Sequence, residues 1–166
     1  MTPVVGDFVE FDQHYILAIL PRKNRLPRPP VANVDQALLV MSAKEPNFST
    51  QLLDRYLVYL EHQQIQPMII VSKWDLLTPT EQLQLNLKLK YYQSIGYQVV
   101  KTALENRSPE LILEVLQNQV SVVMGQTGVG KSTLLNQLLP ALQLATAEIS
   151  RSLNRGKHTT REVTLY

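Results

Sequence analysis

The first patterned stretch of the chain is short and strand-like. Residues 4–11 alternate in part between apolar and polar positions, Asp12-Gln13-His14 makes a polar turn, and residues 15–20 are apolar again. This predicts a hairpin without the rest of its sheet. An isolated hairpin is marginal in water, so the expectation is the trailing remnant of a larger β unit. From about residue 37 the pattern changes to short apolar runs alternating with longer amphipathic ones. Residues 37–42 predict a buried strand and residues 49–63 a helix with Leu53, Tyr56, Leu57 and Leu60 on one face. Residues 68–72 are again strand. Residues 79–94 carry conflicting signals: Leu83, Leu85, Leu87 and Leu89 alternate with polar residues, as in a strand, whereas Thr78-Pro79-Thr80-Glu81 offers a capping box with proline at the first helical position. A helix ending at Gly96 is expected. Residues 98–102 then predict strand, 109–116 a helix capped by Ser108, 120–124 strand, and 132–139 a helix stopped by Pro140. Strand and helix alternate four times, which implies an α/β fold with a parallel sheet and helices on both faces.

Between the hairpin and this alternating region lie Pro21, Pro27, Pro29 and Pro30, interspersed with Arg22, Lys23, Arg25 and Arg28 and no acid. The prolines exclude helix and central strand. A linker or exposed basic loop is expected, either a solvated connection or a site of RNA or phosphate contact. The chain accordingly divides into residues 1–30 and residues 31–166. With 166 residues the length suits about one domain with a real core. Sixteen Lys and Arg against fourteen Asp and Glu leave a net charge of +2, so any basic patch is local. The absence of cysteine removes disulfides and thiolate metal sites, and three scattered histidines (His14, His62, His158) do not suggest structural zinc. No apolar run approaches the roughly 18 residues of a spanning helix, and no signal peptide opens the chain. A soluble cytoplasmic protein is the expectation.

The sharpest chemical signal is Gly125-Gln126-Thr127-Gly128-Val129-Gly130-Lys131-Ser132-Thr133, which satisfies the phosphate-loop pattern between a predicted strand and a predicted helix. Consecutive backbone N–H groups must curl around an oxyanion, and glycines permit both the angles and the close approach. Lys131 would reach the β- and γ-phosphates, the helix N-terminus would add its dipole, and Ser132 would place a hydroxyl on Mg²⁺. The base needs a second reader. Ser72-Lys73-Trp74-Asp75 follows a predicted strand directly, at the edge where ligands bind in open α/β sheets. An ionised aspartate only accepts hydrogen bonds. Guanine offers two donors on one edge and adenine an acceptor there, so Asp75 would select guanine, while the stem of Lys73 can cover the purine face.

Ser72-Lys73-x-Asp75 resembles the Asn-Lys-x-Asp motif of translation-factor-class GTPases, and Thr102-Ala103 resembles their Ser-Ala motif. In ordinary members the phosphate loop precedes these elements; here it follows them, as in the circularly permuted GTPases. Pro21-Arg22-Lys23-Asn24, Val31-Ala32-Asn33-Val34-Asp35-Gln36 and Gly156-Lys157-His158-Thr159-Thr160-Arg161 are similar to the ribosome small-subunit-dependent GTPase A (RsgA) family.

The resemblance implies a circularly permuted P-loop NTPase sheet in residues 31–166, incomplete at its C-terminal end, preceded in residues 1–30 by the end of a small OB-like β-barrel and a basic linker. It implies a GTP-hydrolysing factor for late maturation of the small (30S) ribosomal subunit, monomeric, bound to the subunit and its rRNA through Arg22, Lys23, Arg25 and Arg28, with no membrane. GTP or GDP would be held by Ser72, Lys73, Trp74, Asp75, Thr102, Ala103 and residues 125–133. Thr159 or Thr160 would join Ser132 on Mg²⁺, and Lys131, Thr160 and His158 would serve catalysis. Zinc belongs to a family domain expected beyond Tyr166. The family's Asp-x-Pro-Gly segment is not in the chain, which implies weak hydrolysis by these residues alone. Ser72 stands where the family has asparagine, which implies a weaker link from the base-reading loop to the base and to the phosphate loop. Two rival readings remain open on the residues: an ATP-using phosphate-loop enzyme of kinase type, and an RNA-binding module in which nucleotide is incidental.

Overall fold

The computed structural model describes residues 2–103 and 109–142. Its centre is a four-stranded parallel sheet. Two short antiparallel ribbons come first: β1 (Val9–Phe11) with β2 (Ile16–Ile19), and β3 (Arg25–Pro27) with β4 (Pro30–Ala32). Then follow β5 (Gln36–Ser42), α1 (Thr50–His62), β6 (Gln66–Ser72), α2 (Pro79–Ser94), β7 (Gln98–Lys101), α3 (Pro109–Leu116), β8 (Ser121–Met124) and α4 (Lys131–Leu138). The parallel sheet has the order β7-β6-β5-β8.

Strand β5 is buried along its whole length, and its side chains alternate between two cores. Leu39 and Met41 join Leu53, Leu57 and Leu60 of α1 and Leu85, Leu89 and Tyr92 of α2. Leu38 and Val40 join Ile112 of α3 and Leu134 and Leu138 of α4. Helices α1 and α2 start where side chains satisfy their first N–H groups. Ser49 Oγ accepts from Leu52 N at 3.3 Å, and Thr78 and Glu81 exchange bonds in a complete capping box. The leucine alternation of α2 therefore describes a helix with two apolar faces. Leu85 and Leu89 lie in the core, while Leu83, Leu87 and Tyr91 are exposed on the opposite side. Strand β6 begins at Gln66, two residues before the apolar run. Pro67 is accommodated because β7 pairs with β6 only from Met68 onward.

Residues 21–30 depart from the expected linker. Leu26 and Val31 are buried in the same apolar cluster as Leu39, and Asn24, itself buried, donates to Val34 O at 2.7 Å and accepts from Val34 N at 2.9 Å. The prolines stand at the ends of the ribbon, where Pro27 pairs with Pro30 and their missing N–H groups interrupt no longer ladder. The segment before it is fastened as well: Val5 bridges Val31, and Ala32 N donates to Val5 O at 2.9 Å. Ribbon β1–β2, by contrast, exposes Phe8, Phe11, Tyr15 and Leu17. Among the described residues no helix is long and apolar enough to cross a membrane.

Candidate nucleotide site

The order β6-β5-β8 places the ends of β6 and β8 on either side of β5, so the loops after them meet over its carboxyl end. After β8 the chain turns through residues 125–130 into α4. Gly125 has φ 146°, and a Cβ there would collide with the Val40 carbonyl oxygen. The first glycine of the loop is thus required by the close approach of its backbone to β5. Gly130, with φ 93°, precedes α4 without a side-chain cap, leaving that role to a ligand or water. Lys131 folds back over the loop, donating from Nζ to Gly125 O at 2.9 Å and Gln126 O at 2.6 Å. Burial pushes its pKa below the usual lysine value. Ser132 and Thr133 are half-buried beside it, while Gln126 and Thr127 are exposed and Val129 is buried.

On the other side, Lys73 takes a left-handed conformation (φ 57°) and opens a 3₁₀ turn over Trp74–Leu76. Its Nζ donates to the carbonyl of Glu45, and burial lowers its pKa against the opposing pull of the Glu45 charge. Trp74 N donates to Thr102 O at 3.1 Å, and Thr102 N to Val71 O at 2.8 Å, so the turn after β6 and the Thr102-Ala103 segment are tied directly. Ser72 reaches farther. Its Oγ lies 2.6 Å from Val129 O and 3.3 Å from Met41 O, joining the end of β6 to the phosphate loop across β5. The weakened link expected from serine in place of asparagine is, on the phosphate-loop side, made directly by the hydroxyl.

These pieces enclose a cavity of about 230 Å³. Ser72, Lys73, Asp75 and Leu76 form one wall, Thr102 and Ala103 a second, and Gly130, Thr133, Leu134 and Gln137 a third. Leu134 and Gln137 were not singled out by sequence; Gln137 lies four residues after Thr133, on the same helix face, and that spacing is the signal that finds it. A second depression, about 240 Å³ between Glu61 and Tyr97, contains none of the motif residues. His158, Thr159 and Thr160 lie outside the described residues. Of the basic residues at 22–28, Lys23, Arg25 and Arg28 are exposed, the last two without an ion pair among the described residues. Arg22 is taken up by Asp7, at 2.6 Å from Nε to Oδ1 and 2.7 Å from Nη2 to Oδ2, and Lys23 by Asp35 at 2.7 Å.

Magnesium fits the donor set. Ser132, the second residue of α4 after the uncapped Gly130, carries a hydroxyl oxygen of the kind a hard cation accepts as ligand. Such a site suits an ion that arrives with phosphates and keeps much of its water.

Comparison with known proteins agrees with this geometry. The RsgA GTPase family matches residues 19–166. The small ribosomal subunit biogenesis GTPase RsgA of Shouchella clausii is 52% identical over 170 residues, covering 99% of this chain and 58% of that protein. Its namesake from Limosilactobacillus reuteri is 54% identical, covering 98% and 57%. The chain thus spans little more than half the length of these relatives. YjeQ from Thermotoga maritima superposes with a TM-score of 0.78 at 36% identity over 89% of this chain and 55% of that one. YloQ, described as a circularly permuted GTPase, gives 0.71 at 42% identity over 85% and 52%. With the Ser72–Asp75 segment ahead of the phosphate loop and both lining one cavity, and with the family match over residues 19–166, the chain belongs to the RsgA GTPase family.

Proposed function

We propose that this chain binds GTP and GDP with Mg²⁺, hydrolyses GTP, and couples the bound state to docking on the small ribosomal subunit during its maturation. The observation that carries this reading is the single cavity lined by Asp75, Thr102 and Ala103 on one side and by Gly130 and Thr133 on the other. Asp75 accepts the two donors of the guanine edge, and the stem of Lys73 covers the ring. Residues 125–131 cradle the phosphates. Lys131 exchanges its two carbonyl acceptors for phosphate oxygens, which are better partners for an ammonium. Ser132, with Thr159 or Thr160, holds Mg²⁺, whose chemistry is to neutralise charge on the phosphates. His158 orients the attacking water. Hydrolysis is then a matter of positioning and electrostatics. For the ribosomal partner the support is the names of the relatives, and within this chain the exposed Arg25 and Arg28, which suit rRNA phosphates. A cytoplasmic monomer fits that partner.

Calorimetric titration of the 166-residue chain with GDP and ADP tests the nucleotide assignment. Binding of GDP that excludes ADP and is lost in Asp75→Ala is expected. Equal binding of ADP, unaffected by Asp75→Ala, would favour a kinase-like ATP site. Salt-sensitive RNA binding indifferent to GDP and GTP would favour an RNA module.

A further inference from the structure

Trp74 stands between the two residues expected to read the base, and it is held from several directions. Its N–H donates to Thr102 O at 3.1 Å, and its carbonyl accepts from Leu77 N at 3.3 Å and Gln82 Nε2 at 3.4 Å. Its ring lies under the ammonium of Lys101, 4.6 Å from the centroid. The same ammonium donates to Asn86 Oδ1 on α2. Lys101 ends β7 and directly precedes Thr102, so one cation joins three elements: the β7 terminus, the base-reading turn and α2.

This matters because the 3₁₀ turn Trp74–Leu76 has no buried side chain of its own. Its position is set by the half-buried Trp74 ring, which packs against the core shared by α1 and α2, and by what pins the turn around it. At one end Lys73 reaches Glu45 O; on the tryptophan, the pin is Lys101. Asp75 is the next residue and lines the cavity. A displacement of the indole moves the carboxylate with it, and hydrogen bonds to a base weaken steeply with misalignment.

We propose that Lys101 is a positioning residue for guanine recognition, clamping Trp74 so that the Asp75 carboxylate faces the base. The inference rests on the guanine-site reading above. Lys101 itself touches neither base nor phosphate in this account.

The test measures GDP and inorganic pyrophosphate, each with Mg²⁺, on the full chain and on Lys101→Met, Lys101→Arg, Trp74→Leu and the double variant Lys101→Met/Trp74→Leu. An exposed cation–π contact predicts a change of about two- to five-fold in GDP affinity for Lys101→Met. Pyrophosphate affinity should be unchanged, Lys101→Arg should restore GDP binding, and the double variant should be no weaker than Trp74→Leu alone. Unaltered GDP affinity in Lys101→Met overturns the proposal. So does an equal loss for pyrophosphate, a loss that arginine does not recover, or additive effects in the double variant. If the unsubstituted chain binds pyrophosphate but not GDP, the guanine-site reading itself fails.

Discussion

Ser72 shows how much can depend on one hydroxyl. It is buried, and the Val129 carbonyl 2.6 Å from its oxygen is buried as well. Ser72→Ala leaves that acceptor without its donor, at a cost of about 1–3 kcal/mol; the expected outcome is a lower melting temperature together with weaker GDP binding, and Ser72→Thr should restore both if the methyl group is accommodated. Lys131 behaves differently, because its two carbonyl acceptors are part-buried and exposed, where water can replace the ammonium. Lys131→Ala should therefore leave the melting temperature nearly unaltered while GDP affinity falls by about 10- to 100-fold, as expected for lost charge-assisted bonds. Calorimetry with parallel thermal melts separates the two cases. The motif residues were readable in sequence because phosphate and guanine chemistry restrict residue type and spacing. Lys101 was not, since a cation at a strand end carries no such restriction until the fold brings it to the loop, and Gln137 is reached only through its helical spacing from Thr133.

At the scale of elements, the parallel strands and their helices follow from the apolar runs and caps, with ends displaced by one or two residues. Ribbon β3–β4 does not. Its strands are three residues long and bounded by prolines, too short to show alternation, and its one informative side chain before the turn, Leu26, is a lone apolar residue among cations. Only tertiary contact reveals that Leu26 is fully buried. Leu26→Ala should cost about 2–5 kcal/mol, whereas a leucine in a solvated linker would cost almost nothing; denaturant unfolding discriminates between them. For α2 the conflict between strand-like alternation and helix signals is resolved by the capping box. Thr78→Ala should destabilise by about 1 kcal/mol, seen as a shifted denaturation midpoint at constant slope.

For the molecule as a whole, acid sensitivity has one of its origins near the N-terminus, beside the lowered carboxyls of Asp12, Asp35 and Glu81. Hydrogen bonds from the Arg22 guanidinium hold the Asp7 carboxyl at a pKa of about 2, with the Val4 N–H contributing further. The two side chains cover one another, 9% and 2% exposed, at the edge of the molecule. A carboxyl depressed in the folded state stabilises it above the ordinary value of 3.8, and that contribution disappears as pH falls from there through about 2. Asp7→Asn should lower stability near neutrality by about 1 kcal/mol and flatten the acid limb of the stability profile, as followed by urea unfolding at successive pH values. The whole chain also has one tryptophan, Trp74, so excitation at the red edge of the ultraviolet band interrogates only the turn beside Asp75. The protein carries its own optical gauge: a change in emission on adding nucleotide reports on that turn without a dye or label.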